Sequence, residues 1–245
     1  MLQVALNGSR TSDEHPAIPR TAEELAGEAH ASVNAGAEVV HVHAYDENGV
    51  ETLAGEPNAA ALRAIRAVCP GVPISLTTSA GIEPDPRRRM GLIASWTELP
   101  ELVTANQGEQ GISELCEHLF ARGVGVEAGL LSLADAQAFT GSGLAGRCAR
   151  VLIEPLDVDP TAAVVHAAAM EEVLARAGIQ LEQVHHGDGV ASWAVSERAL
   201  WRGHGIRTGL EDTTFLPDGR CPADNAELIR AAVALIADIP VPASA

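Results

Sequence analysis

Two histidines separated by one residue, His41 and His43, end a short apolar run in the N-terminal quarter of the chain. Side chains at positions i and i+2 of a β-strand point to the same face, so the two imidazoles should meet at one point. Glu211, in the sequence GLEDTT near the other end of the chain, could add a carboxylate. Two histidines and one carboxylate with an open fourth position are typical of a catalytic zinc site. The alternative is two core histidines and a capping carboxylate.

Short apolar runs alternate with helix-length segments along the whole chain. The predicted strands are Gln3–Asn7, Glu38–His43, Pro73–Thr78, Leu102–Asn106, Gly125–Gly129, Arg150–Glu154, Gln183–His186 and Ile206–Glu211. Eight strand–helix units in about 250 residues predict an α/β fold, a (β/α)8 TIM barrel, which we expect to form a single catalytic domain over residues 1–245. An open doubly wound sheet is the competing fold, but no G-x-G-x-x-G motif follows the first strand. A barrel would gather the polar strand ends at its C-terminal face, where barrel enzymes place their chemistry.

The composition excludes several functions. All 16 basic residues are arginine, so a Schiff-base mechanism, which needs a lysine amine, is not available. A formal net charge of −17 argues against a nucleic acid partner, and no apolar run approaches the roughly 20 residues of a membrane span. The four cysteines are scattered without a CxxC pair, which favours the reducing cytoplasm. Carbon–carbon chemistry in this chain would need a metal or another electron sink.

Five segments of the sequence resemble the β-keto acid cleavage enzymes. They are ALNG at residues 5–8, AGAEVVHVH at 35–43, TAN at 104–106, GIRTGLED at 205–212 and DNAELI at 224–229. The resemblance covers nearly the whole chain and implies a zinc-dependent (β/α)8 barrel that is usually a homotetramer. It also implies a reaction in which a β-keto acid and acetyl-CoA are converted to acetoacetate and a new acyl-CoA.

The resemblance assigns roles to individual residues. The family's zinc ligands correspond to His41, His43 and Glu211. Its catalytic aspartate, the arginine beside it and an N-terminal active-site glutamate correspond to Asp212, Arg207 and Glu14. Polar contacts to the substrate correspond to Ser79, Thr104 and Asn106. Zinc suits imidazole and carboxylate donors, although Co, Mn or Fe could occupy the same ligands.

The chain departs from the family pattern beside the histidines and on two later strands. Where the family commonly continues with Val-Arg-Asp, this chain has Ala44-Tyr45-Asp46, so one arginine near the site is missing. The ends of the sixth and seventh strands, IEPLDVDP and HHGDG, also differ from the usual pattern. These changes bear on the substrate more than on the chemistry.

The assigned residues could act together in a metal-assisted removal of a proton from the keto acid. Zinc acting as a Lewis acid on the 3-keto oxygen would acidify the C2 protons of the keto acid. A base must then lie within hydrogen-bond reach of C2, and Asp212 is the predicted base. Positive charge from the metal and from Arg207 would keep Asp212 ionised. Since this chemistry needs no amine, the absence of lysine agrees with it.

Several other polar residues have two interpretations each. Arg87, Arg88 and Arg89 follow the third strand and could hold the phosphates of acetyl-CoA, or could be the solvated start of a helix. The same holds for residues that could extend the active site or be hydrogen-bonded core residues, namely His185, His186 and Glu127. Asp46 could orient a ligand histidine, or form the turn with Asn48 and Gly49.

Three other functions compete with this one. An amidohydrolase would carry its H-x-H pair on the first strand, commonly with a carboxylated lysine, which this chain does not contain. A metal-dependent class II aldolase or another lyase would share the metal site and differ in its keto acid and in CoA dependence. A barrel that binds a metal or metabolite without turnover is the non-catalytic alternative.

Overall fold

The structure, a computed structural model, describes residues 1–239 and contains a closed barrel of eight parallel strands in the order β1 to β8. The strands are β1 Leu2–Ala5, β2 Val39–Val42, β3 Ile74–Thr77, β4 Leu102–Asn106, β5 Gly125–Leu130, β6 Arg150–Ile153, β7 Gln183–His185 and β8 Gly205–Thr208. The helices are α1 Ala22–Ala35, α2 Gly55–Val68, α3 Pro86–Ala94, α4 Ile112–Ala121, α5 Leu133–Gly141, α6 Pro160–Arg176, α7 Ser192–Trp201 and α8 Asn225–Asp238. The predicted single-domain (β/α)8 barrel is therefore confirmed. Within residues 1–239, no helix is long and apolar enough to cross a membrane.

The two faces of the strands carry different residues. Val40, Leu76 and Val103 are fully buried in the apolar core, which accounts for the apolar runs in the sequence. Alternate positions point into the barrel and are more polar. Glu127 lies there in the middle of β5, 2.9 Å from Nε of Arg150. Its position inside the barrel, below the strand ends, supports the core interpretation of Glu127.

Local sequence signals begin the helices at the face where the strands end. The hydroxyl of Thr21 accepts a hydrogen bond from the amide of Glu24, and the Glu24 carboxylate accepts one from the amide of Thr21, so a capping box starts α1. Pro160 occupies the first turn of α6, and the side chain of Asp159 caps that helix. These caps fix the loops that follow β1 and β6.

Strands β2 and β8 end earlier than predicted, so His43 and Glu211 lie just beyond them. After β8 the chain forms a tight turn in which the amide of Asp212 donates to the carbonyl of Gly209 at 2.9 Å. Both acidic residues therefore lie in a turn, whereas the sequence predicted that the strand continues to Glu211. The turn lies against β1, because the amide of Glu211 donates to the carbonyl of Ala5 at 3.2 Å.

Candidate metal centre and active site

The ends of β2 and β8 bring three donor side chains together. Nε2 of His41 lies 3.2 Å from Nε2 of His43, and Oε2 of Glu211 lies 3.6 Å from each nitrogen. The ligand atoms of the three residues all fall within 4.8 Å of one another. Oε2 of Glu211 is buried and has no hydrogen-bond partner among residues 1–239, as expected for an oxygen free to bind a cation. This donor set could hold a metal ion.

The other nitrogen of each imidazole is held by a neighbouring side chain. Nδ1 of His41 lies 3.2 Å from the hydroxyl of Ser75 and 3.4 Å from that of Thr104. Nδ1 of His43 is hydrogen-bonded to the carboxylate of Glu51. Both Nε2 atoms therefore face the third donor. Burial lowers the pKa of His41 well below its usual value, which keeps this imidazole in the neutral form that binds metals.

Gly8 allows Glu211 to approach the loop after β1. Its backbone has φ 54°, and a Cβ placed on Gly8 would lie 2.5 Å from Cγ of Glu211. Residues with a side chain adopt this left-handed conformation only at a cost, and here the side chain would also displace the carboxylate. Glycine at this position is therefore required both by the backbone and by the metal site.

We expect Gly8→Ala to weaken metal binding by the donor group and to lower the stability of the fold. The left-handed backbone should cost about 1–2 kcal/mol, and the displacement of Glu211 should lower the affinity of the donor group for a divalent metal such as zinc. Gly71→Ala is a matched control, because Gly71 has φ 82° and no heavy atom within 4 Å of a Cβ placed there. Thermal unfolding and calorimetric zinc titration separate the two effects. Equal zinc affinities in the two variants would contradict the role assigned to Gly8.

Arg207 and Asp212 form a buried ion pair beside the three donors. Nη2 of Arg207 lies 2.6 Å from Oδ1 of Asp212, its Nε lies 3.2 Å from Oδ2, and Nη2 also contacts Glu211 at 2.9 Å. Burial alone would raise the pKa of Asp212, but the positive charge of Arg207 and the contact with His186 hold it below its usual value. Asp212 is therefore a buried, oriented and ionised carboxylate.

His186 and Glu154 extend this cluster, and sequence reasoning did not single them out from their neighbours. His186 is fully buried, with Nδ1 3.4 Å from Oδ1 of Asp212 and Nε2 3.5 Å from Oε2 of Glu154. Burial raises the pKa of Glu154. His185 instead stacks on His204 with ring centroids 4.8 Å apart, so it is a core residue. The sequence did show polar residues at the ends of the sixth and seventh strands. It did not show whether His185 or His186 points into the barrel.

The polar residues predicted on β3 and β4 line a small cavity above the donors. The cavity has a volume of about 180 Å³ and is lined by both donor histidines, Glu211, Arg207, Glu154, Leu131, Thr77 and the predicted contacts Ser79, Thr104 and Asn106. All three predicted substrate contacts therefore face the same space as the donor group. Asn106 is also hydrogen-bonded to Glu109 at 3.2 Å, which restricts its orientation.

Glu14 lies at the mouth of the site and is outside the buried cluster. It lines an open depression with Arg10, His43 and Glu211, and nearly half of its side chain is exposed. Nη1 of Arg10 contacts Glu14 at 3.2 Å, and Nε of Arg10 donates to the carbonyl of Glu211 at 2.9 Å. Nη2 of Arg10 contacts Asp188 at 3.1 Å. Sequence reasoning also missed Arg10, which ties the loop after β1 to the turn after β8.

The three consecutive arginines do not share one environment. Arg89 is buried at the start of α3, where its guanidinium contacts Glu109 at 3.0 Å and donates to the carbonyl of Gln110 at 2.6 Å. This corrects the prediction that all three could bind phosphate, because Arg89 is used in the contact with the loop before α4. Arg87 and Arg88 are exposed, and Arg88 contacts Glu83 at 3.3 Å.

Asp46 forms a turn and does not orient a histidine. Its carboxylate accepts hydrogen bonds from the amides of Asn48 and Val50, both at 2.9 Å. This confirms the turn interpretation, since the residue that contacts a donor histidine is Glu51. Glu51 was not singled out from the sequence, because the loop folds back on itself and brings to His43 a residue that lies eight positions further along the chain.

A family model described as beta-keto acid cleavage enzyme matches residues 1–243. A 3-keto-5-aminohexanoate cleavage enzyme of Fusobacterium nucleatum subsp. nucleatum is 25% identical over 266 residues, which cover 98% of this chain and 92% of that protein. The enzyme of the same name from Acetoanaerobium sticklandii is 31% identical over 83 residues, which cover 34% of this chain and 30% of that protein.

Solved structures show the same fold. The ternary complex of ObcA with a C4-CoA adduct and oxalate has a TM-score of 0.72 at 17% identity, covering 89% of this chain. This chain spans 63% of the length of that ObcA chain, and at this identity the likeness concerns the fold alone. The match to the family model is a match of sequence, and it extends over almost every residue of the barrel. On that match, the chain belongs to the β-keto acid cleavage enzyme family.

Proposed function

We propose that this enzyme is a zinc-dependent transferase that condenses a β-keto acid with acetyl-CoA and releases acetoacetate and a new acyl-CoA. The observation that carries the proposal is the donor group of His41, His43 and Glu211 directly beside the ionised Asp212. Zinc held by these three residues would act as a Lewis acid toward the 3-keto oxygen and lower the pKa of the C2 protons. Co, Mn or Fe would suit the same donors.

Asp212 is assigned both proton transfers. Arg207 holds its two oxygens, so the base is charged and oriented before the substrate arrives. Asp212 removes a C2 proton, and the carbanion attacks the carbonyl carbon of acetyl-CoA, which expels the CoA thiolate. The thiolate then attacks C3, the bond between C2 and C3 breaks, and Asp212 returns the proton to C2 of acetoacetate.

The cavity above the donors is assigned to the keto acid. The hydroxyls of Ser79 and Thr104 and the amide of Asn106 face it and are neutral donors suited to a carboxylate. Glu14, at the mouth, is assigned to the incoming substrate. The assembly is proposed to be a homotetramer that acts in the cytoplasm, and light scattering after gel filtration tests the stoichiometry.

Arg87 and Arg88 are assigned to the phosphates of acetyl-CoA. Both lie in the first turn of α3, which follows the loop that carries Ser79, so this turn is at the same end of the barrel as the cavity. We expect Arg87→Ala/Arg88→Ala to raise KM for acetyl-CoA about tenfold, a loss of about 1.4 kcal/mol of binding. Turnover at saturation should change little, because contacts to remote phosphates bind substrate and transition state alike.

Two controls accompany the Arg87→Ala/Arg88→Ala variant. The first removes the same amount of positive charge elsewhere, and the second uses a substrate that lacks the phosphates. Arg176→Ala/Arg230→Ala removes two exposed guanidinium groups from α6 and α8 and should leave KM unchanged. Acetyl-pantetheine carries no phosphate, so the Arg87 and Arg88 variant should use it as well as the native enzyme does. An unchanged KM for acetyl-CoA would show that the two arginines do not bind its phosphates and are only the solvated start of α3.

A screen of β-keto acids with acetyl-CoA tests the proposed reaction. Acetoacetate and the new acyl-CoA should appear together, in equal amounts, for at least one keto acid, and mass spectrometry detects both. Cleavage without acetyl-CoA would favour a metal-dependent aldolase or another lyase. No turnover of any keto acid would favour a binding protein.

A further inference from the structure

The segment 44–52 between β2 and α2 forms a small hairpin against the donor group. The amide of Asp46 donates to the carbonyl of Val50 at 2.8 Å, and the amide of Thr52 donates to the carbonyl of Ala44 at 2.9 Å. Tyr45 and Glu51 pair across the hairpin as an antiparallel bridge. The Asp46 turn described above closes the tip. The hairpin thus presents two side chains in a fixed relation to the site.

Glu51 contacts the histidine part of the donor group. Its carboxylate is hydrogen-bonded to Nδ1 of His43, and only 16% of its side chain is exposed. With Nδ1 engaged, the ring can offer only Nε2 to a metal. That atom lies 3.6 Å from Oε2 of Glu211, on the side of the ring opposite Glu51.

Tyr45 contacts the carboxylate part of the donor group through the backbone. Its hydroxyl donates to the carbonyl of Gly8 at 2.5 Å, and Gly8 is the residue against which Glu211 packs. The guanidinium of Arg20 lies over the Tyr45 ring, 4.5 Å from its centre, and this cation–π contact also fixes the position of the ring. Tyr45, which differs from the family pattern, is therefore turned toward the loop after β1.

We propose that Glu51 and Tyr45 are positioning residues that hold the two halves of the metal site, and that Glu51 sets the affinity for the metal. A carboxylate behind a ligand histidine fixes the orientation of the ring and strengthens nitrogen donation to the metal, and its loss typically lowers metal affinity about 10- to 100-fold. This inference rests on the proposed function only in that His41, His43 and Glu211 bind zinc.

Substitutions at Glu51 separate orientation from charge. Glu51→Gln keeps an oxygen that can accept from Nδ1 of His43 but removes the charge, whereas Glu51→Ala removes both. Tyr45→Phe removes only the contact to Gly8. Glu47→Gln is the matched control, because Glu47 is exposed in the same hairpin and has no hydrogen bond or ion pair among the described residues.

Zinc dissociation constants, measured by competition with a chelating dye, are the main readout. We expect Glu51→Gln to bind zinc about 10- to 100-fold more weakly than the native protein, Glu51→Ala more weakly still, and Glu47→Gln equally well. Tyr45→Phe should show a smaller loss. The melting temperatures of the metal-free proteins should agree, whereas the rise on adding zinc should shrink in the Glu51 variants. A purely structural role would instead lower the metal-free melting temperature.

Two outcomes would overturn the inference for different reasons. If the native protein takes up no zinc, the proposed function fails and the positioning role fails with it. If the native protein binds zinc and both Glu51 variants bind it equally tightly, the metal site stands and only the role of Glu51 is wrong. Turnover of the Glu51 variants that recovers at high zinc concentration would support the inference, because excess metal compensates for weak binding.

Discussion

Asp212→Asn is expected to lower turnover by roughly 10²–10⁴, the usual contribution of a positioned base. The amide keeps the size of the side chain but has no lone pair basic enough to remove a C2 proton. Zinc binding should remain, because the three donors are other residues. Steady-state kinetics and elemental analysis of the purified variant measure the two quantities.

The control for Asp212→Asn is the same substitution elsewhere on the C-terminal face. Asp157→Asn removes a carboxylate that is paired with His166 at 2.9 Å in the loop after β6, and it should retain turnover. An Asp212→Asn enzyme with native turnover would show that the proton is removed by another group. His186 and Glu154, which adjoin Asp212, would then be the next residues to test.

Glu211→Ala is expected to abolish tight zinc binding and, through that loss, the activity. The substitution removes one of three donors, so its effect should exceed the about 10- to 100-fold loss typical of an outer partner. It also removes one contact of Arg207, but the pair with Asp212 remains and the fold should persist. Circular dichroism checks the fold, and zinc titration measures the affinity.

The two neighbouring carboxylates thus have opposite expected outcomes. Glu211→Ala should lose metal, whereas Asp212→Asn should keep metal and lose turnover. A variant pair with the reverse behaviour would exchange the two assignments. Full activity in both variants would move the chemistry away from the turn after β8.

Much of the fold follows from local sequence patterns. Each apolar run is buried against helices on one side, so its length and spacing identify a strand without knowledge of its partners. The pairing of His41 and His43 follows from the two-residue period of a strand, although His43 lies just past its end. Partners that are close in sequence, such as Thr21 and Glu24, are equally visible.

Contacts across loops were not predictable in the same way. Asp46 had two interpretations in the sequence, and the structure confirms the turn, because its carboxylate accepts hydrogen bonds from the hairpin backbone. The residue that contacts His43 is Glu51, which the sequence did not indicate. In the sequence, Arg89 is indistinguishable from the two arginines before it. In the structure, the packing of α3 buries Arg89 against Glu109. The contact of His186 with Asp212 could be predicted only with knowledge of which residues at the end of β7 point into the barrel. Each case depends on how a connection folds back, which residue type alone does not specify.

Isotope tracing from acetyl-CoA tests the central claim most directly. With acetyl-CoA labelled by ¹³C in both acetyl carbons, and a keto acid identified in the screen, the acetoacetate should carry both labelled carbons in its terminal acetyl half. The new acyl-CoA should carry none, because it takes only the thiol of CoA and the carbons of the keto acid beyond C2. Unlabelled acetoacetate, or label retained in the acyl-CoA, would contradict the proposed condensation and cleavage.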